Sequence, residues 1–251
     1  MLFPKTVLFD LDGTLLNTLG DLADAINYAM RSLGRPEKND AEVLAAIGNG
    51  VRRAIISVLS TVSHATDTAP PGTPPVGAAS CRPPSVTVPA PALVDEALAL
   101  FRSRYEQCYM NRTAPYPGVV DIMRELRASG YKIGVISNKT DAFTSGLINK
   151  HFFGLVDASA GELPGVPLKP APDAVYNILT QIGGVSNRTV YVGDSDVDFA
   201  TARNAGIPCI LVSWGFRSRD TLVAAGAPPS SIVDTAAEVL AHIKSILPFS
   251  I

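Results

Sequence analysis

Apolar positions along the chain follow two periods. Short, near-continuous apolar runs rich in β-branched residues occur at Thr6–Leu11, Tyr131–Ile136, Thr189–Val192 and Ile207–Val212. That is the pattern of strands buried on both faces. Elsewhere apolar residues recur at three- and four-residue steps, which predicts helices over Thr140–Asn149, Pro172–Ile182, Val197–Asn204, Leu222–Ala225 and Ala236–Leu247. Pro172 near the start of one of these and Gly183 just past its end are the usual signs of helix termini. Strands alternating with helices predict an α/β fold, a Rossmann-like parallel sheet covered by helices.

The interval between the first strand and the second is too long for one crossover. Leu19, Leu22, Ala23, Ile26, Met30 and Leu33 mark an amphipathic helix over Thr18–Leu33, ended by Gly34 and Pro36. Val43–Ile47 and Val51–Leu59 flank the turn Gly48-Asn49-Gly50, and Leu93–Tyr109 is a further helix. Residues 18–114 are therefore expected to form an all-helical cap inserted into a core made of 1–17 and 115–251. Within that cap, 63–92 is crowded with proline, alanine, serine and threonine. Such a segment excludes regular helix and has little to bury, so it is expected as a solvated, disorder-prone loop between two cap helices.

Composition narrows the function. The 251 residues are 47% hydrophobic and 18% charged, enough for a core domain carrying a smaller one. A formal charge of −2 supplies no basic field for nucleic acid and no polybasic patch for a membrane surface. No apolar run approaches the roughly 20 residues that span a bilayer. A strand pattern begins directly after Lys5, leaving no room for a secretory signal, so a cytoplasmic location is expected. Cys81, Cys108 and Cys209 are scattered and read as free thiols. The expected partner is a small molecule, bound by a monomer or a homodimer.

Chemistry concentrates at strand ends. Asp10 and Asp12, two apart on a strand, project from the same face at its C-terminal edge, where open α/β sheets bind ligands. Two such carboxylates suit one ionised nucleophile and one acid able to protonate a leaving oxygen, or simply cap the turn at Gly13. Asp194 and Asp198 follow another buried strand, four apart and so on one face of a helix beginning there. Oxygen ligands from two strand ends are what Mg²⁺ prefers, although one acid alone could be a helix N-cap. Ser137-Asn138-Lys139 ends a third strand and opens a helix, a place for a phosphoryl group or for an ordinary cap. Lys169, stiffened by Pro170 and Pro172, can act as a point charge on phosphate and on Asp10, or stand solvated.

Taken in order, Asp-x-Asp-Gly-Thr at 10–14, Ser-Asn at 137–138, Lys-Pro at 169–170 and Gly-Asp-x-x-x-Asp at 193–198 resemble the four motifs of the haloacid dehalogenase superfamily. Ala46–Val51, Pro115–Gly118, Lys169–Asp173 and Ser213–Arg217 are most similar to the phosphoglycolate phosphatases within it. The resemblance implies a Mg²⁺-dependent phosphatase acting on a small phosphate monoester, 2-phosphoglycolate first. It implies Asp10 as nucleophile, through a phospho-aspartate, and Asp12 as acid and base. Mg²⁺ would be held by Asp10, the Asp12 carbonyl and Asp194, with Asp198 behind them. Thr14, Ser137, Asn138 and Lys169 would hold the phosphoryl group. In the cap, Asn49, Arg52 and Arg53 are the candidate substrate contacts. Competing readings are a phosphomutase of the same superfamily acting on a sugar phosphate, and a non-catalytic binding module.

Overall fold

The computed structural model describes residues 3–63 and 85–248. The chain begins with β1 (Thr6–Phe9), a short β2 (Leu16–Asn17) and helices α1 (Leu19–Ser32), α2 (Asp40–Ala46) and α3 (Val51–Leu59). Strands β3 (Thr61–Ser63) and β4 (Ser85–Thr87) precede α4 (Pro91–Cys108), β5 (Ala114–Pro115) and α5 (Val119–Ala128). Then come β6 (Lys132–Thr140), α6 (Asp141–His151), β7 (Ala158–Glu162), α7 (Asp173–Ile182), β8 (Thr189–Gly193) and α8 (Asp196–Ala205). The chain closes with β9 (Cys209–Val212), α9 (Arg219–Ala224), β10 (Ile232–Val233) and α10 (Ala236–Ile246).

Six strands form one sheet in the order β10-β9-β8-β1-β6-β7. Every pairing in it is parallel. The first strand lies between the strands that carry the second and fourth motifs: Thr6 is level with Lys132 of β6 on one side and Thr189 of β8 on the other. Strand alternation divides its side chains between two layers. Val7 and Phe9 pack with Val135 and Val192 under α5 and α10, through Met123, Leu126, Val239 and Ile243. Leu8 packs on the opposite face with Tyr191 under α7 and α8, through Val175, Ile178 and Ala202. The α/β fold expected from the sequence is the one observed.

Helices α1 to α4 have an apolar core of their own, built around Ile26, Met30, Val43, Ile55, Leu98, Phe101 and Tyr105. The chain leaves for these helices and returns from them side by side, because β2 and β5 pair antiparallel with Asn17 opposite Ala114. Asp21, buried in the first turn of α1, fixes the return. Its carboxylate accepts the Arg112 N–H (3.0 Å), the Thr113 N–H (2.9 Å) and the Thr113 hydroxyl (2.8 Å).

Elements not anticipated from the sequence are α5, β7, β10 and the short strands β2 to β5, of which β3 and β4 fall within the layer expected to be all-helical. Strand β7 reads Ala-Ser-Ala-Gly-Glu and sits at the sheet edge, half-buried, so it has no apolar run to announce it. Strand β10 is two residues long. The loop expected over 63–92 is corrected at both ends. Thr61–Ser63 pairs with Ser85–Thr87, and α4 starts at Pro91, where a missing N–H costs nothing. Residues 64–84, which carry most of the proline-rich stretch and Cys81, lie outside the described residues. Cys108 and Cys209 are free thiols. Among the described residues no helix is long and apolar enough to cross a membrane.

Candidate active site

The C-terminal ends of β1, β6 and β8 converge on one buried cluster. Asp10 follows β1 directly; its N–H donates to the Val192 carbonyl at 2.9 Å, so the sheet itself sets where the carboxylate stands. Lys169 Nζ lies 2.6 Å from Asp10 Oδ1 and 2.7 Å from Asp198 Oδ1. The lysine arrives on the segment before α7, and Asn138 at the end of β6 holds it in place. Asn138 Oδ1 accepts the Lys169 N–H at 2.8 Å, and Nδ2 donates to the Lys169 carbonyl at 3.1 Å. The Asn138 side chain thus grips the lysine backbone. Ser137 Oγ accepts the Lys139 N–H at 3.2 Å.

Asp194 leaves β8 into a narrow space between two glycine-containing loops. Thr14 Oγ1 donates to its Oδ1 at 3.1 Å, and the Phe216 N–H to its Oδ2 at 2.6 Å. Asp198, one helical turn on, closes a capping box: its Oδ2 accepts from the Ser195 N–H (3.1 Å) and hydroxyl (2.5 Å). Its Oδ1 takes Lys169 and the Tyr191 hydroxyl, the latter at 3.1 Å. Asp198 is therefore saturated by protein donors, whereas Asp10 and Asp194 keep coordinating capacity.

The electrostatics are those of a site short of positive charge. Burial pushes the Asp10 carboxyl far up; Lys169 opposes the rise, while Asp198 and Asp194 add to it. Asp194 is pushed up to about 7, by burial first and Asp198 second. Burial would lower Lys169, but Asp10 and Asp198 outweigh it and hold the ammonium charged well beyond its ordinary range. One oxygen from each of Asp10, Asp194 and Asp198 lies within 4.8 Å of the others. Hard oxygen donors at this spacing, faced by a single lysine, fit a divalent cation such as Mg²⁺.

Asp12 stands apart from that cluster. Its Oδ1 is 3.1 Å from Lys139 Nζ, which also donates to the Tyr105 hydroxyl at 2.8 Å. Tyr105 belongs to α4, so the helical layer touches the chemistry through one lysine. Burial raises the Tyr105 hydroxyl to about 12, keeping it neutral beside the cation.

Above these groups lies a cavity between the sheet edge and the helices, lined by Asp10, Asp12, Ser137, Lys139, Lys169 and Asp194 below. Leu22, Ile26, Val51, Phe101, Phe143 and Phe216 form an apolar ceiling. The three contacts expected from the helical layer are not among its lining residues. Asn49 faces a second cavity beside Arg217 and Thr221, Arg52 pairs with Asp95 on the surface, and Arg53 is exposed. The reason is helical phase: α3 turns Ala54, Ile55 and Val58 inward and both arginines outward. Arg102 and Arg217 line the cavity instead. Arg217 donates to the Leu44 (2.8 Å) and Ile47 (2.6 Å) carbonyls at the end of α2. Sequence reasoning missed Lys139, Tyr105, Arg102 and Arg217. Lys139, adjacent to Ser137-Asn138, and Arg217, at the end of Ser213–Arg217, carried a signal; Tyr105 and Arg102 carried none.

Known proteins resemble this chain in sequence and in fold. A family model described as haloacid dehalogenase-like hydrolase matches residues 7–212. The phosphoglycolate phosphatase of Pseudomonas putida is 30% identical over 239 residues, covering 92% of this chain and 76% of that one. The phosphoglycolate phosphatase of Thiobacillus denitrificans is 32% identical over 215 residues, covering 84% of each. A crystal structure from Lactobacillus delbrueckii subsp. bulgaricus, provisionally assigned as a phosphoglycolate phosphatase, superposes with a TM-score of 0.81 at 31% identity, covering 96% of this chain and 99% of that one.

Proposed function

The chain belongs to the haloacid dehalogenase-like hydrolases and is a phosphoric monoester hydrolase, and from that premise we propose that it hydrolyses 2-phosphoglycolate with Mg²⁺ through a phosphorylated Asp10. The observation that carries the reading is the convergence of Asp10, Lys169, Asp194 and Asp198 under a cavity with Asp12 at its side. The substrate is taken from the relatives' names, the mechanism from the groups themselves.

Asp10 attacks phosphorus with Oδ2, whose nearest side-chain donor, Thr14, is a long 3.4 Å away. Lys169 stays on Oδ1, orienting the carboxylate and offsetting charge as the phosphoryl group approaches. The phosphorus–oxygen ester bond breaks, and Asp12 gives its proton to the departing alkoxide. Asp12, now ionised, takes a proton from water, which attacks the phospho-aspartate and releases phosphate. Ser137, Thr14 and the Asn138 N–H position the transferring oxygens, in keeping with a reaction governed by alignment and charge. Asp10, the Asp12 carbonyl and Asp194 would hold Mg²⁺, with Asp198 behind them; the ion supplies charge neutralisation at the phosphoryl oxygens. The apolar ceiling excludes bulk water during transfer.

The test is phosphate release from 2-phosphoglycolate by the purified protein. Turnover is expected with Mg²⁺ and is lost in EDTA. Asp10→Asn is expected to reduce it at least 10³-fold with the fold retained, on the scale of removing a nucleophile. Appreciable turnover by that variant defeats the nucleophile assignment. A sugar phosphate that yields isomer rather than phosphate would favour the mutase reading.

A further inference from the structure

Cations that line the cavity differ in whether the protein already uses them. Lys169 is shared between Asp10 and Asp198. Lys139 is shared between Asp12 and the Tyr105 hydroxyl. Arg217 is taken up by the Leu44 and Ile47 carbonyls, with Asp196 at 3.7 Å. Arg102 alone of the four has no hydrogen-bonding or ionic partner among the described residues, although it lines the same cavity. A guanidinium presents five donors in a planar fork matched to a carboxylate. An uncommitted one at the wall of a ligand cavity is a site waiting for an anion.

Its position says which part of a ligand it would meet. The leaving oxygen must come next to its proton donor, Asp12, so its substituent extends on that side of the cavity. The groups met there, in order, are Lys139, then Tyr105 of α4, then Arg102 in the turn of α4 before it. Positions 102 and 105 are about 5 Å apart along the helix axis. Phe101 and Tyr105, stacked at 5.3 Å, give this side of the cavity a rigid aromatic wall. Phosphate contacts therefore lie at the sheet edge, and the charge left over lies beyond the leaving group.

We propose that Arg102 is the specificity-determining residue of this hydrolase: it pairs with a carboxylate carried by the leaving group, and so selects acidic phosphate esters over neutral ones. The inference rests on the reading of 2-phosphoglycolate as substrate and replaces Arg52 and Arg53 in the role expected from sequence. Because the pair forms in the bound substrate as well as in the transition state, its loss falls mainly on KM.

The experiment compares kcat/KM for 2-phosphoglycolate with that for 2-hydroxyethyl phosphate, which has a neutral hydroxymethyl group in place of the carboxylate. The unaltered enzyme is expected to prefer the acid. In Arg102→Ala the ratio of the two values should fall about 10- to 100-fold, the worth of one charge-assisted pair, through KM for the acid. Arg102→Glu should lower it further, and Arg102→Lys should restore part of it. Arg102 lies on the exposed side of a helix, so these variants should fold, with circular dichroism as the check. A ratio unmoved in all three, or equal losses on both esters, overturns the proposal while leaving the phosphatase reading intact. Hydrolysis of neither ester by the unaltered enzyme overturns both.

Discussion

Asp194 stands where two backbones leave room for nothing else. A Cβ on Gly13, whose φ is +89°, or on Gly215 would overlap its carboxylate. Gly215→Ala is therefore expected to push Asp194 off the Phe216 N–H and weaken Mg²⁺ binding about 10- to 100-fold, read from the Mg²⁺ dependence of turnover. An unchanged Mg²⁺ midpoint would mean that Asp194 is not a ligand. Lys169 poses the complementary case. Lys169→Met leaves Asp10 and Asp198 facing each other in a buried space, and a loss of about 3–5 kcal/mol of stability is expected in urea denaturation. At this scale the acids and Lys169 were legible, because strand-end position and spacing say where each carboxylate emerges. Asn138 was legible as a site residue but not as the clamp on Lys169, since that bond joins positions 31 apart through tertiary structure. Arg102 and Tyr105 had no local signal at all: on α4 they look like any surface arginine and any core tyrosine.

Among elements, the junction of the helical layer with the sheet is the most economical. One carboxylate, Asp21, receives both N–H groups and the hydroxyl where the chain returns. Asp21→Ala is expected to cost about 2–4 kcal/mol, since it strands three buried or half-buried donors. Differential scanning calorimetry should show a lowered or split transition; a single transition at the original temperature would show the junction to be held by β2 and β5 alone. The buried strands and amphipathic helices could be read directly, as their periods are the direct image of their burial. Elements at the margins could not: β7 is half-buried with small side chains, and β10 is too short to have a period. For Val119–Ala128, with Val119, Ile122, Met123 and Leu126 inward, the apolar spacing was present and overlooked.

For the molecule as a whole, the acid cluster links stability to pH and metal. Asp194 titrates near 7 in the folded, metal-free protein and in the ordinary carboxyl range when unfolded. Between about pH 4 and 7 the folded state holds a proton that the unfolded chain has lost, so stability falls as pH rises. Asp10, displaced in the same direction, adds to this. In EDTA the melting temperature is expected to drop from pH 5 to pH 7.5, and Mg²⁺ should raise it more at pH 7.5, where Asp194 has lost its proton. Equal Mg²⁺ shifts at the two pH values would contradict the charge deficit. The place of β1 in the sheet has a separate consequence, in time. The strand that delivers Asp10 is synthesised first, yet its two neighbours begin at Lys132 and Thr189. During synthesis Asp10 waits for β6 and then β8 to emerge, while α1 to α4 can already pack locally. High contact order of this kind slows folding and exposes the early strand. A nascent chain released before Gly193 lacks β8, and with it the strand that seats Asp10 and the acids that follow it. The proposed catalysis is thereby reserved for chains extended beyond β8 and Asp198.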